Sequence, residues 1–307
     1  MPRQGNRSSF SPEPAAVFFG NGIMKSHRLQ DLTLVELREK LKSCQTVILP
    51  YGLSEQHGSH LPLDVDIRNA DFISAKLAEK LDCLIAPTLN YTFSGGMAPG
   101  TINVKPNTLS NLIGEIIESL SLQGFRNFII IPGHGGSESL LHLKESLRIL
   151  KWLNPALRDD LIMLVPIWNY SPTWMKLFET RDYHAAEAET SLMLHWCPEV
   201  VRHGDLPHDP PEIAEALRED PDSYQLRESF SEMREEIVNT SQRAEVQIGV
   251  MGYPERACAE TGRRIEEEFL ANAGKAISDA IAAADAARRS GKRFVHDNGE
   301  KLKLKNI

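Results

Sequence analysis

The amino-acid sequence reads as a doubly wound α/β protein with a mainly parallel sheet. Short apolar runs of strand length alternate with longer segments of helical periodicity along most of the chain. The run Phe128-Ile129-Ile130-Ile131 shows no polar alternation, as expected of a strand buried on both faces of a parallel sheet. Two of the strand-like runs lead into loops rich in glycine, histidine and carboxylates, at the edge where open α/β sheets place their ligand crevice.

Asp31 to Leu41 carries Leu32, Leu34, Leu37 and Leu41 at helical spacing, with Asp31 as the expected N-cap. Thr46 to Pro50 is β-branched and apolar and predicts a short buried strand. Helical periodicity returns from Asp66 to Leu81, Leu84 to Pro87 predicts a second strand, and Thr108 to Leu122 a further helix ended by Gly124. Asn127 to Ile131 is the third strand. Ser137 or Ser139 is expected to cap a helix whose apolar stripe is Leu140, Leu143, Leu147 and Leu150. Leu161 to Ile167 predicts another strand, Glu187 to Trp196 a short helix, and Glu260 to Arg289 a long Ala-rich one. The crossovers are expected to be right-handed.

The chain has 307 residues, 41% hydrophobic and 25% charged, which excludes collagen-like, coiled-coil and wholly disordered readings. Its formal charge of −8 is the wrong sign for a protein that binds nucleic acid by neutralising phosphates. That charge is local. Between Asp205 and Gln247 there are 12 acidic and 4 basic residues, whereas the rest of the chain balances. With four prolines and few apolar positions, this stretch reads as an insertion at about 205–247, partly helical from Glu228 to Asn239, after which the fold resumes at Glu245-Val-Gln-Ile-Gly-Val250. Residues 1–26 read as a loosely ordered extension, 27–287 as one α/β domain interrupted by the insertion, and 288–307 as a basic tail. The four cysteines form no C-x-x-C pair, which fits a reducing cytoplasm, and no apolar run is long enough to span a membrane.

The chemistry gathers in three clusters. In Glu55-Gln-His57-Gly-Ser-His60-Leu-Pro-Leu63, just past the first strand, residues two apart face the same way, so Glu55 and His57 can share a pocket that Asp66 enters from the next helix. Oxygen and imidazole ligands without thiolate suit Zn²⁺ or Mn²⁺, and an aspartate can bridge two such ions. The plainer alternative is a surface loop in which Asp66 is only an N-cap. Gly133-His134-Gly135-Gly136 follows the third strand, where a tight turn with an incidental histidine is the alternative and a phosphate cradle is weaker still without a lysine. In His184-Ala-Ala-Glu187-Ala-Glu189-Thr-Ser191, Glu189 falls on the inward helical face and needs a partner, whereas Glu187 suits a helix N-terminus.

These motifs, in this order, together with Asp66, Pro99-Gly-Thr-Ile102, Gly124-Phe-Arg126 and Gly249-Val-x-Gly252-x-Pro254, resemble the creatininase (creatinine amidohydrolase) family. The resemblance covers most of Leu29 to Pro207 and resumes from about Gln247 to Ala283. It implies a three-layer α/β/α sandwich, often a homo-oligomer such as a hexamer, with two divalent metal ions per chain, Zn²⁺ and/or Mn²⁺. By position, Glu55 and His134 would hold one metal, His57 part of the other, and Asp66 would bridge. The family's further glutamate, two residues after the Gly-His histidine, is replaced here by Gly136, so Glu189 is the expected substitute ligand and Glu187 the runner-up.

The resemblance also makes His184 the proton shuttle, with His60, Gly135, Gly136 and Glu187 as supporting or substrate-contacting residues. A water deprotonated between the metals would then attack the carbonyl of a small amide or cyclic amide. Several positions depart from the family pattern: Pro132, Ser137, Ala186 and Tyr253. Trp168 and Trp174 do not fall at the separations from His184 expected of the tryptophans that close over creatinine, so another small polar amide is the expected substrate. A peptide-trimming metallopeptidase, with the insertion as lid or groove, and a non-catalytic metal-binding protein are the alternatives.

Overall fold

The computed structural model describes residues 26–291 and 293. The elements run α1 (Leu34–Lys40), β1 (Thr46–Tyr51), α2 (Val65–Leu81), β2 (Leu84–Ile85), α3 (Pro106–Leu122), β3 (Asn127–Pro132), α4 (Ser137–Leu153) and β4 (Leu161–Leu164). They continue through α5 (Pro172–Glu179), α6 (Glu187–Trp196), α7 (Pro211–Glu219), β5 (Gln225–Glu228), β6 (Asn239–Gln242) and α8 (Ala259–Ser290). Of the expected N-terminal extension only Ser26 is described, and the expected basic tail from residue 294 onward lies outside the described residues.

The main sheet has the order β2-β1-β3-β4, all parallel. Every residue of β1 and β3 is buried, because alternate side chains enter two different cores. Val47, Leu49, Phe128 and Ile130 pack against α3 and α4 through Leu109, Ile113 and Leu143. Ile48, Ile129 and Ile131 face the opposite way, onto α2, α6 and α8 through Ile73, Leu192 and Phe269. The result is the expected three-layer α/β/α sandwich. From the central pair the chain winds outward in both directions, through α2 to β2 and through α4 to β4, on opposite faces. The crevice opens where these paths diverge, beyond the C-terminal ends of β1 and β3.

Several local expectations change. The cap of α1 is Thr33, which forms a capping box with Glu36, while Asp31 ends a preceding 3₁₀ turn. Neither Ser137 nor Ser139 caps α4: Gly136 holds the N-cap position, and the Ser139 hydroxyl donates to the Phe93 carbonyl at 2.9 Å. β4 stops at Leu164, just before Pro166 leads into a 3₁₀ turn. The expected helix from Glu228 to Asn239 is absent. The insertion instead forms α7 and an antiparallel hairpin of β5 and β6, whose connecting turn carries Phe230 and Ile237 fully in solvent. No strand forms over Glu245 to Val250; instead Met251 makes an isolated antiparallel bridge with His184. α8 continues to Ser290, so Arg288 and Arg289 belong to the folded domain.

Candidate metal centre

The loop after β1 folds back on itself through the Glu55 N–H, which donates to the Leu63 carbonyl at 2.9 Å. His57 Nδ1 lies 3.1 Å from the carbonyl of Glu55, so Nδ1 carries the proton and Nε2 is turned inward. Asp66 comes from the first turn of α2 and is almost wholly buried. One of its oxygens, Oδ1, lies 3.3 Å from His57 Nε2, and the other, Oδ2, lies 3.2 Å from His134 Nδ1. His134 Nδ1 is also 3.2 Å from Glu55 Oε2, and Glu189 Oε2 is 3.7 Å from His57 Nε2.

Two triplets of potential ligands result, Glu55–Asp66–His134 and His57–Asp66–Glu189, with ligand atoms within 4.8 Å of one another in each. Asp66 is common to both. Glu55, His57 and His184 form a third, overlapping triplet. The close atoms are not satisfied by one another: Glu55 Oε2, His57 Nε2 and Asp66 Oδ2 are buried and have no hydrogen-bond partner. Buried polar atoms are ordinarily paired, so three that converge without pairing leave donor positions that could hold a bound group.

The electrostatics agree. Burial alone would raise the Glu55 carboxyl, but His134 and His184 outweigh it and hold the group well below the usual carboxylate range. Burial would likewise lower His134, yet Glu55 and Asp66 push it up to about 10. His57 is raised well above its ordinary value against its burial, by Asp66 and Glu189. The carboxylates here hold positive charge on the imidazoles, as they would hold a cation.

α6 brings Glu189 to the site. Just before the helix, Ala185 adopts a left-handed φ of 51°, which turns its N–H onto Glu189 Oε2 at 2.6 Å. Asp182, which no sequence motif marks, accepts from the N–H groups of Glu187 and Ala188 and closes the start of α6. Burial, with Glu189 and Glu187 nearby, raises its carboxyl to about 7. The His184 ring lies 4.4 Å from that of His57, centroid to centroid, with its Nε2 2.9 Å from the Gln56 carbonyl. Ala186, one of the departures from the family pattern, fits because Gly252 lies opposite: a Cβ at 252 would be 2.4 Å from that of Ala186. Tyr253, another departure, has the guanidinium groups of Arg218 and Arg256 at 4.8 and 3.8 Å from its ring centroid.

A cavity of about 320 Å³ opens over the cluster. Its floor includes Glu55, His134, His184 and Glu189, with Gly135 and Gly136 beside them. Trp168 and Trp174, 6.0 Å apart between ring centroids, form part of one wall. The insertion forms another wall through Asp222, Tyr224, Gln242 and Val246. It thus covers the site of its own chain.

His60 does not join the ligand atoms; its Nε2 contacts Thr190 Oγ1 at 2.9 Å and so braces the helix that carries Glu189. Glu187 joins neither a triplet nor the cavity lining. It stands in the first turn of α6, which suits the helix-terminus reading.

Fold and site define an open parallel α/β protein with a buried carboxylate–imidazole constellation at its switch point. The chain belongs to the creatininase family: the family model, described as creatinine amidohydrolase, matches residues 30–277. It is 25% identical over 205 residues to the creatinine amidohydrolase of Pseudomonas putida, covering 62% of this chain and 79% of that protein. It is 30% identical over 238 residues to the mycofactocin precursor peptide peptidase of Mycobacterium ulcerans, covering 73% of this chain and 81% of that protein. A 3-dehydro-scyllo-inosose hydrolase of Thermotoga maritima is 30% identical over 178 residues, 56% of this chain and 57% of that protein.

A solved creatininase shares the fold with a TM-score of 0.64 at 22% identity, covering 83% of this chain and 98% of its own. Other solved creatininases are described as a Mn form and, for a mutant, a Zn-Zn type. The relatives are hydrolases, and the peptidases among them extend the bonds attacked beyond the non-peptide C–N bonds expected from sequence.

Proposed function

We propose that the chain is a metal-dependent amidohydrolase with a dinuclear centre. Glu55, Asp66 and His134 hold one divalent ion; His57, Asp66 and Glu189 hold the other. The observation that carries this reading is the sharing of Asp66, whose two carboxylate oxygens face two different imidazoles at 3.3 and 3.2 Å. The donors are oxygens and imidazole nitrogens with no thiolate among them, a set that suits Zn²⁺ or Mn²⁺.

Two divalent ions at such a site would supply a water acidified to near-neutral pH and a positive charge beside the carbonyl oxygen, where negative charge develops. The remaining work falls to side chains. The carbonyl of Glu55 fixes the His57 ring, and the Ala185 N–H fixes Glu189, so the donors keep their places as charge changes. His184 borders both the ligand cluster and the cavity and is the group that carries a proton to the leaving nitrogen. A cavity of about 320 Å³ takes a small polar amide or the end of a short peptide.

Elemental analysis of purified protein is expected to give close to two divalent ions per chain, and hydrolysis is expected to vanish in Glu55→Gln. Metal-free protein with full activity would overturn the reading. The match to peptide peptidases supports a second reading, trimming of a short peptide. Short peptides and small cyclic amides assayed side by side separate the two. A homo-oligomer is part of the proposal, and its mass in solution is measurable by light scattering.

A further inference from the structure

The wall that the insertion builds also grips the loop between β2 and α3. In that loop the Ser94 hydroxyl donates to Glu55 Oε1. One oxygen of Glu55 is thereby occupied, while Oε2, without a hydrogen-bond partner, is left facing His134 Nδ1 at 3.2 Å. Ser94 is itself held. Asn103 Oδ1 accepts from the N–H groups of Ser94 and Gly95 at 2.9 and 3.1 Å, and Asn103 Nδ2 donates to the Gly96 carbonyl at 2.6 Å. The next N–H, that of Met97, donates to Gln242 Oε1 at 2.5 Å. Gln242 ends β6 and pairs across the hairpin with Gln225, which donates to the Tyr224 hydroxyl at 2.6 Å. That hydroxyl sits so close over Gly95 that a Cβ there would be 2.7 Å away.

We propose that Gln242 and Ser94 are positioning residues for Glu55: the insertion clamps the loop from Ser94 to Asn103, and the loop decides which oxygen of Glu55 is offered to a metal ion. This rests on the reading of Glu55 as a ligand. A ligand carboxylate whose second oxygen is fixed by an outer hydrogen bond binds with less loss of freedom, and removing such a partner typically weakens metal binding by about 10- to 100-fold. The insertion is then part of the metal site as well as a wall of the cavity.

The test is a Zn²⁺ titration of the metal-free, full-length chain in competition with a chromophoric chelator. Ser94→Ala is expected to bind Zn²⁺ about 10- to 100-fold more weakly, and Gln242→Leu, one step further out, about 3- to 10-fold more weakly. Gln242→Glu and Ser94→Thr keep the accepting oxygen and the donating hydroxyl and are expected to stay within about 2-fold of the parent. Parental affinity in Gln242→Leu overturns the clamp, as does equal weakening in Gln242→Leu and Gln242→Glu. Glu55→Gln separates the two levels. If it retains both ions, the ligand reading fails; if it loses one while Ser94→Ala and Gln242→Leu bind normally, only the clamp fails.

Discussion

Gly133 lies directly against the backbone of Asp66: a Cβ at position 133 would come within 1.9 Å of the Asp66 carbonyl oxygen. Gly52 makes a similar approach to the Asp66 carbonyl carbon, at 2.5 Å. The first turn of α2 is thus wedged between the loops leaving β1 and β3, and this contact sets the position of the shared carboxylate. Because the opposing atoms are backbone, Gly133→Ala cannot be accommodated by a side-chain rotation. It is expected to destabilise the fold by about 1–3 kcal/mol, as overpacking does, and to weaken Zn²⁺ binding. Denaturant unfolding and metal titration check both, and parental values in each would refute it.

Asp66 and Glu189 are expected to differ in how much metal they control. Asp66 belongs to both ligand triplets and Glu189 to one. Asp66→Asn is therefore expected to empty the centre, and Glu189→Gln to leave close to one ion per chain. Equal metal content in the two variants would contradict a shared aspartate.

His184 is expected to act on the proton and not on the metal. His184→Asn should keep its metal content and lose about 10²- to 10⁴-fold in kcat, the range for removal of a general acid or base. Loss of metal with no separate loss of turnover would instead make His184 a ligand, as its place in the third triplet would allow.

Two buried groups outside the ligand triplets give pH dependences of opposite sign. Burial, with His57 adding to it, lowers the His60 imidazole from 6.5 to about 4. Between those values the unfolded chain binds a proton that the folded chain does not, so stability falls as pH drops through the window. Asp182 is raised from 3.8 to about 7, so the folded chain holds a proton there that the unfolded chain releases. Its contribution is lost as pH rises through that window. Metal-free Asp182→Asn is expected to gain stability relative to the parent from about pH 4 to pH 7, measured by urea unfolding at a series of pH values. A constant difference across that range would disprove it.

Metal removal is expected to lower the melting temperature, by an amount that grows with the logarithm of the free ion concentration over its Kd. An ion present at 100 times its Kd stabilises the folded chain by about 2.7 kcal/mol, and chelation removes that term. Calorimetry with and without chelator measures it, and an unchanged transition would mean that no ion is bound in the folded state.

The sheet and most helices were legible because burial writes itself into the sequence. The bounds of α6 agree with those expected from its periodicity, and β3 extends only one residue past its Phe-Ile-Ile-Ile run. Glu55, His57 and His134 were visible because they lie in the loops just past strand ends, and Asp66 because it opens the helix that follows the first of those loops. The hairpin was misread for a physical reason: Phe230, Met233 and Ile237 have helical spacing, yet no surface covers them. Spacing predicts a helix only where a partner face exists. Ser94, Asp182 and Gln242 carried no readable signal, since each acts through a contact with a residue distant in sequence or through a neighbouring turn.

α8 has 32 residues, which at helical rise is about 48 Å, enough to cross the whole layer. Near its start Gly262 lies against the Ser191 carbonyl of α6, and near its end Arg288 donates to the Arg126 carbonyl and to Asn127 Oδ1 at 3.0 and 2.7 Å. The family match stops at 277, short of that last attachment. A truncated protein cut at the family boundary would keep the ligands but leave the base of β3 untied. The shortest fragment worth making therefore ends after Arg288, at the glycine that stops the helix.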